Sequence, residues 1–163
     1  QMICDVVKRR YNIYIGLRTA EKIKIALADA IYSEDENNED DILYVFGRNV
    51  ITGLPSERAV AKDTICEAIK PFFDEMVDSI KTILERTPPE LSADIIEKGI
   101  YLTGGGALID GLDKLISIET HMPVFVADDP LTCVVRGTGK IVEDETIADK
   151  INTSTKILRQ GEF

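Results

Sequence analysis

Three consecutive glycines, Gly104, Gly105 and Gly106, stand between the apolar run Ile100-Tyr101-Leu102-Thr103 and an amphipathic stretch beginning at Ala107. Residues without a Cβ take positive φ readily and let a flat or charged ligand approach their amides. A helix opening near Ala107 would aim unpaired N–H groups at the same spot. The chemistry on offer is that of a turn that holds a nucleotide; the same residues also suit tight packing of a strand-to-helix turn. Glu21 and Lys24 lie three residues apart on an expected helix, where spacing alone implies a weak surface pair contributing about 0.2–0.5 kcal/mol. The acidic run Glu34, Asp35, Glu36, Glu39, Asp40 and Asp41, interrupted by Asn37 and Asn38, reads as a solvated loop. A calcium loop would need spaced ligands, a glycine turn and a closing glutamate.

Other reactive residues are few. His121 is the only histidine, in the turn-like Thr120-His121-Met122-Pro123, with neither a nucleophile nor an orienting partner beside it, so it reads as an ordinary loop histidine. Cys4, Cys66 and Cys133 are odd in number and widely spaced, which favours neither a disulfide framework nor a zinc site and fits a reducing, cytosolic setting. Gly137-Thr138-Gly139-Lys140 has the wrong spacing for a phosphate loop and no preceding strand, and is assigned to helix packing. With 163 residues, 44% hydrophobic and 29% charged, the chain can bury a core and is not disordered wholesale. Its net charge of −10 argues against non-specific attraction to nucleic acid or to an anionic membrane. No membrane-spanning run or signal peptide is visible. The chain opens at Gln1 within helical sequence and is expected to be a fragment.

The elements that must position these residues follow from periodicity. Met2, Ile3, Val6 and Val7 with Lys8-Arg9-Arg10 form the end of a helix, and the pattern changes over Tyr11 to Gly16. A helix capped by Thr19 should turn Ile23 and Leu27 inward. Ile42 to Phe46 and Val50 to Thr52, separated by Gly47-Arg48-Asn49, predict a hairpin. A long helix is expected from Glu57 to Arg86, kinked or broken at Ala68 to Lys70 by Pro71. Thr87, Pro88 and Glu90 predict a capped helix that Gly99 ends before the strand. Leu108, Leu112, Leu115 and Ile116 mark the inner face of the next helix. Pro123 to Ala127 reads as a buried strand, and Asp128-Asp129-Pro130 as the cap and start of a last helix through Val142. Residues 144–163 form a tail of weak periodicity. From Thr87 onward this is an alternating α/β layer with its ligand beyond the carboxyl ends of the strands, where the glycines lie.

Several longer runs carry a resemblance. Leu84 to Leu91 (Leu-Glu-Arg-Thr-Pro-Pro-Glu-Leu), Gly99 to Leu108, Ala127 to Thr132, Thr19-Ala20-Glu21 with Lys24-Ile25, and Thr52 to Pro55 together resemble the bacterial actins of the MreB/Mbl, or rod-shape-determining, family over nearly all of residues 1–143. The resemblance implies an α/β, actin-like ATPase fold of the ribonuclease H kind. Only the second lobe is expected, a mixed sheet with flanking helices. Residues 1–14 and 69–143 would be its core subdomain, 15–68 a small outer subdomain and 144–163 the C-terminal tail. It further implies ATP with Mg2+ in a cleft between two lobes, this part supplying the adenosine side. Gly104, Gly105, Gly106 and Ala107 match the family's glycine turn, and Glu21, Lys22, Ile23 and Lys24 match the helix that lines adenine and ribose.

The resemblance also places the phosphate loops, the magnesium-coordinating acids and the group that positions water before Gln1, so no catalytic residue is assigned and the fragment itself should not hydrolyse ATP. A slow ATPase is expected of the complete protein. That protein would be a cytoplasmic, membrane-associated cytoskeletal filament that partners itself, the inner membrane and cell-wall elongation proteins, but not nucleic acid, and so sets cell shape. Three residues depart from the family pattern: Leu17 replaces an acidic residue, and Ala26 and Ala28 replace a glutamate and a glycine. The acidic run from Glu34 to Asp41 is longer than the usual loop. The alternative classes are a sugar or acetate kinase of the same superfamily, or a chaperone-type ATPase domain.

Overall fold

The computed structural model describes residues 1–33, 41–144, 146–147 and 149–150. Most of the acidic run, Glu34 to Asp40, and the tail beyond Lys150 lie outside them. The elements are α1 (Met2–Tyr11), β1 (Ile13–Tyr14), α2 (Leu17–Leu27), β2 (Ile42–Asn49), β3 (Pro55–Ala61), α3 (Lys62–Glu85), α4 (Pro89–Lys98), β4 (Ile100–Leu102), α5 (Leu112–Thr120), β5 (Val124–Val126) and α6 (Cys133–Glu143), with a 3₁₀ turn at Gly105–Leu108. Two compact units result: Gln1–Ile100 with Ile109–Phe125, and Tyr101–Leu108 with Val126–Phe163.

The first unit holds the core. In it α3 packs against α1, α2 and α5. Its buried stripe is Ile65, Cys66, Ile69, Phe73 and Val77, against Ile3, Val6 and Val7 of α1, Ala20, Ile23 and Leu27 of α2, and Leu112 and Ile116 of α5. The stripe continues on both sides of Pro71, which lies inside one helix. The expected break is therefore absent: the proline costs about 3 kcal/mol, and the apolar burial of the stripe offsets it.

The three-stranded sheet runs β1-β2-β3, with both pairings antiparallel. Here the predicted boundaries are wrong. Gly47-Arg48-Asn49 does not separate two strands but completes β2, and the strand paired with it is Pro55–Ala61, with Ile42 opposite Ala61 and Arg48 opposite Pro55. The turn lies between them, built on Asn49, whose Oδ1 accepts the N–H groups of Ile51 at 2.8 Å and Thr52 at 3.0 Å. Because β3 occupies residues 55–61, α3 starts at Lys62 rather than Glu57. Gly47 faces β1 so closely that a Cβ there would stand 2.4 Å from the Tyr14 carbonyl oxygen.

Capping also differs from expectation. The α2 N-cap is Gly16, whose carbonyl accepts the N–H of Thr19 and of Ala20, both at 3.0 Å, so Thr19 lies inside the helix. Thr87 does not cap α4; its hydroxyl donates to the Ile83 carbonyl at the end of α3. Pro88 is the α4 N-cap and Pro89 its first residue. Gly99 ends α4 at φ 77° as expected, and a Cβ there would meet the Pro123 carbonyl oxygen at 2.6 Å. Ala28, the C-cap of α2, takes an ordinary extended conformation (φ −73°, ψ 126°).

The chain passes between the units within β4 and within β5. Ile100 N–H donates to the Pro123 carbonyl in the first unit, and Ala127 N–H donates to the Leu102 carbonyl in the second. The strand expected to be buried is not: Phe125 and Val126 are both exposed. In the second unit, Asp129 takes positive φ, its carbonyl accepts the Thr132 and Cys133 N–H groups, and α6 begins only at Cys133. Among the described residues, a Cβ on Gly137 or Gly139 of α6 would meet no atom within 4 Å beyond its own stretch of helix, so the expected packing at these glycines is not seen there. Among the described residues no helix is long and apolar enough to cross a membrane.

Candidate functional site

Helix α2 divides its faces as the periodicity requires. Ala20, Ile23 and Leu27 are buried, and Ile23 is wholly so. Leu17, Glu21 and Lys24, at i, i+4 and i+7, share another face and line a cleft of about 290 Å³ within the first unit. Gln1, Met2 and Ile3 at the start of the chain, Ala20 of α2, Ile69, Phe72 and Phe73 of α3, and Ile109 complete it. The lining is mainly apolar, with the carboxylate of Glu21 and the ammonium of Lys24 at one side. Among the described residues neither charge takes part in an ion pair, with the other or with any third group. The surface pair that their spacing alone implied is not formed.

Of the four candidate residues on α2, two therefore reach the cleft and two do not. Ile23 packs into the core, and Lys22 is exposed without lining the cleft. Sequence reasoning missed Phe72, which is 52% exposed although it follows the apolar rhythm of α3. It falls three residues after Ile69, on the flank of the buried stripe, and so faces the cleft. The cleft is just below the roughly 300 Å³ at which ligand pockets begin, a size for a nucleoside portion rather than for a whole triphosphate. An apolar wall with Glu21, Lys24 and Gln1 as its polar residues fits a flat heterocycle carrying polar groups.

The second unit carries the glycine turn. Gly104 has φ 80°, and its N–H donates to the Pro130 carbonyl at 2.8 Å, which ties the turn to the segment before α6. Ala107 N–H closes back on the Gly104 carbonyl at 3.2 Å. The expected helix does not open at Ala107. Residues Gly105–Leu108 form a 3₁₀ turn, and α5 begins at Leu112 after Gly111. Gly111 takes φ 70°, and a Cβ there would lie 2.5 Å from Ile31 Cγ1, so the chain must turn here before a helix can start. The first N–H groups of the 3₁₀ turn, at Gly105 and Gly106, have no partner within it, and among the described residues a Cβ placed on Gly106 would meet no atom within 4 Å beyond its chain neighbours. Backbone donors at the opening of such a turn are the feature an anionic or polar ligand would use; at Gly105 a Cβ would stand 3.4 Å from Leu131 Cδ2. Ala107 is buried, whereas Leu108, expected on an inner face, is exposed.

His121 is the C-cap of α5 with φ 55°, and all three cysteines are free. Among the described residues no group of three or more His, Cys, Asp or Glu is arranged to hold a metal ion.

A model of the MreB/Mbl protein family matches residues 1–150. The chain is 44% identical over 142 residues to the cell shape-determining protein Mbl of Bacillus cereus, covering 87% of this chain and 41% of that protein. It is likewise 44% identical over 143 residues to the cell shape-determining protein MreB of Escherichia coli, covering 88% of this chain and 40% of that one. The chain thus spans about two-fifths of the length of the curated relatives it matches. Among solved structures, MreB5 of Spiroplasma citri bound to ADP superposes with a TM-score of 0.79 at 33% identity, over 93% of this chain and 44% of that one. A non-polymerising mutant of MamK shares the fold, with a TM-score of 0.64 at 18% identity over 88% of this chain and 42% of that one. The architecture is part of an actin-like α/β fold, and the chain belongs to the MreB/Mbl family of cell shape-determining proteins.

Proposed function

We propose that this protein binds ATP with Mg2+ and uses the nucleotide to control its assembly into filaments that organise cell-wall synthesis. The observation that carries the reading is the cleft on α2. Glu21 and Lys24, both free of ion pairs among the described residues, stand at the edge of an apolar wall of suitable size for a base and ribose. The relative MreB5 of Spiroplasma citri, solved with ADP and with AMPPNP, supports the choice of ligand. Glu21 would accept from, and Lys24 donate to, the polar edge of the nucleoside. Lys22 and Ile23 would act through the placement of the helix, with Ile23 as its anchor. Gly104, Gly105, Gly106 and Ala107, in the other unit, are assigned separately to the nucleotide as a backbone cradle. Magnesium would come with the phosphates, since the described residues offer no acidic cluster for it. This chain supplies no group assigned to phosphoryl transfer, and hydrolysis is a property we assign only to the complete protein.

Residues 15–68 are proposed as the small outer subdomain and residues 1–14 with 69–143 as the core subdomain. Self-association, contact with the inner membrane and contact with cell-wall elongation proteins are proposed for the complete protein. A sugar or acetate kinase is not favoured, because the named relatives at 40% identity and above are all cell shape-determining proteins. The test is sedimentation and electron microscopy of the complete protein on lipid, with Mg-ATP and without nucleotide. Filaments that depend on nucleotide are the expected result; a monomer that binds ATP under every condition and transfers phosphate to a small acceptor would overturn the reading.

A further inference from the structure

The end of α2 is held by two groups from one face of α3. Lys62 and Cys66 are four residues apart, one helical turn. Cys66 Sγ–H donates to the carbonyl oxygen of Leu27, the last residue of α2, at 3.3 Å. That oxygen is one of the helix-terminal acceptors that no intrahelical N–H can reach. Lys62 Nζ lies 3.1 Å from Asp29 Oδ2, two residues further on. The other Asp29 oxygen accepts the Ile31 N–H at 3.1 Å, and Ala30 N–H donates to the Asp110 carbonyl at 2.8 Å. Lys62 also stands 4.0 Å from Asp41 Oδ1 and 5.3 Å from the centre of the Tyr32 ring.

Local preference opposes a lysine here. It is the first residue of α3, where the helix dipole disfavours a cation, and its side chain is only 21% exposed. Asp29 and Asp41 face it with side chains 18% and 20% exposed, and without the ammonium two partly desolvated carboxylates would share one site. Burial alone would pull the Lys62 pKa down, but the hydrogen bond to Asp29 and the charges of Asp29 and Asp41 outweigh it and hold the group above the ordinary lysine value. Cys66 and Asp29 also line a second cavity, of about 300 Å³. Leu27 and Ala28 are themselves buried, and the open space lies beside Asp29 and Ala30, the segment that Lys62 ties.

We propose that Lys62, assisted by Cys66, is a positioning residue for nucleotide binding: it fixes the C-terminal end of α2 and so the placement of Glu21 and Lys24 in the cleft. The inference rests on the nucleotide reading above. It deepens that reading by moving a determinant of affinity to a residue that does not line the nucleotide cleft.

The test is titration of the complete protein with a fluorescent ATP analogue and Mg2+, beside thermal unfolding of the same samples. Lys62→Met should weaken binding about tenfold at temperatures where the variant is still folded, and Lys62→Arg should recover most of the loss. Asp29→Asn, a milder change that keeps the shape of the side chain, should weaken binding by about threefold and serves if Lys62→Met does not fold. Lower melting temperatures with unchanged affinity in the folded variants would overturn the positioning role alone. A wild-type protein that does not bind the analogue would overturn the nucleotide reading and this inference with it.

Discussion

Phe72 and Phe73 are neighbours in sequence, with ring centroids 6.0 Å apart and planes inclined by 59°, and both line the cleft, yet replacing them should cost very different amounts of stability. Phe73 is 3% exposed, so Phe73→Ala leaves a cavity in the core and costs about 3–5 kcal/mol. At about 2 °C or less per kcal/mol in a protein longer than this chain, melting should fall by up to about 10 °C. Phe72 is half exposed. Losing half the burial of a phenylalanine costs about 1 kcal/mol, and losing the ring pair adds about 0.5–1.5 kcal/mol, so Phe72→Ala should lower melting by only a few degrees. Its ring, however, is on the wall of the cleft, where a bound base would lie against it. Stacking of a base on an aromatic side chain is worth about 1–3 kcal/mol by alanine substitution, so ATP affinity should fall at least about fivefold. Nucleotide titration and thermal unfolding of the two variants in the complete protein measure both effects. An affinity within twofold of wild type for a well-folded Phe72→Ala would refute the placement of the base. Equal melting losses for the two variants would refute the burial argument.

Three other outcomes follow from local geometry. Leu17 stands four residues before Glu21 on the cleft face, so Leu17→Glu should place two like charges one turn apart beside a polyanionic ligand. Affinity for ATP at low ionic strength should drop about two- to threefold and recover in high salt as the charges are screened, which titration at two salt concentrations checks. Gly47→Ala puts a Cβ 2.4 Å from the Tyr14 carbonyl oxygen; backbone must move, and denaturant unfolding should show a loss of about 1–3 kcal/mol. Lys81 Nζ lies 2.6 Å from Glu119 Oε2, and this hydrogen bond lowers the pKa of Glu119 and raises that of Lys81. A depressed carboxylate pKa contributes stability above the unfolded value and loses it as pH falls through the folded one. A raised lysine pKa contributes below the unfolded value and loses it as pH rises through the folded one. The stability difference between wild type and Lys81→Met should therefore be constant across neutral pH and shrink below about pH 4 and above about pH 10.5; a difference that is flat across that whole range would refute the linkage.

What could be read from the residues divides along a physical line. The inner faces of α1, α2 and α5 were legible because each repeats an apolar residue every three or four positions, and Ile23, Leu27, Leu112 and Ile116 are buried as expected; α3 was legible only in part, since its apolar rhythm runs on through Phe72 and Ile83, which are exposed. β3 was not, because Ser56, Glu57, Arg58 and Ala59 carry almost no alternation and only Val60 is fully buried; the strand exists because β2 supplies a partner, not because of its own pattern. The glycine turn was legible as a turn. Its 3₁₀ form was not, since it is bound up with the hydrogen bond from Gly104 to Pro130, far along the chain. In the cleft, Glu21 and Lys24 were visible as a spacing, but Phe72 was hidden in the rhythm of a core helix until packing showed which flank it occupies.

Lys62 illustrates a different kind of signal. Taken alone it is a lysine just after a polar strand, and nothing about its neighbours calls for attention. Placed at the first position of α3 it breaks the dipole rule with no compensation on its own helix beyond the following Asp63. Local preferences normally agree with the fold they serve, and where one is broken the compensation must come from elsewhere in the structure. Here it comes from Asp29, ahead of the acidic run, and Asp41, the last residue of that run. The same lysine therefore joins the end of the cleft helix, the end of the acidic run and the start of α3 at one charge.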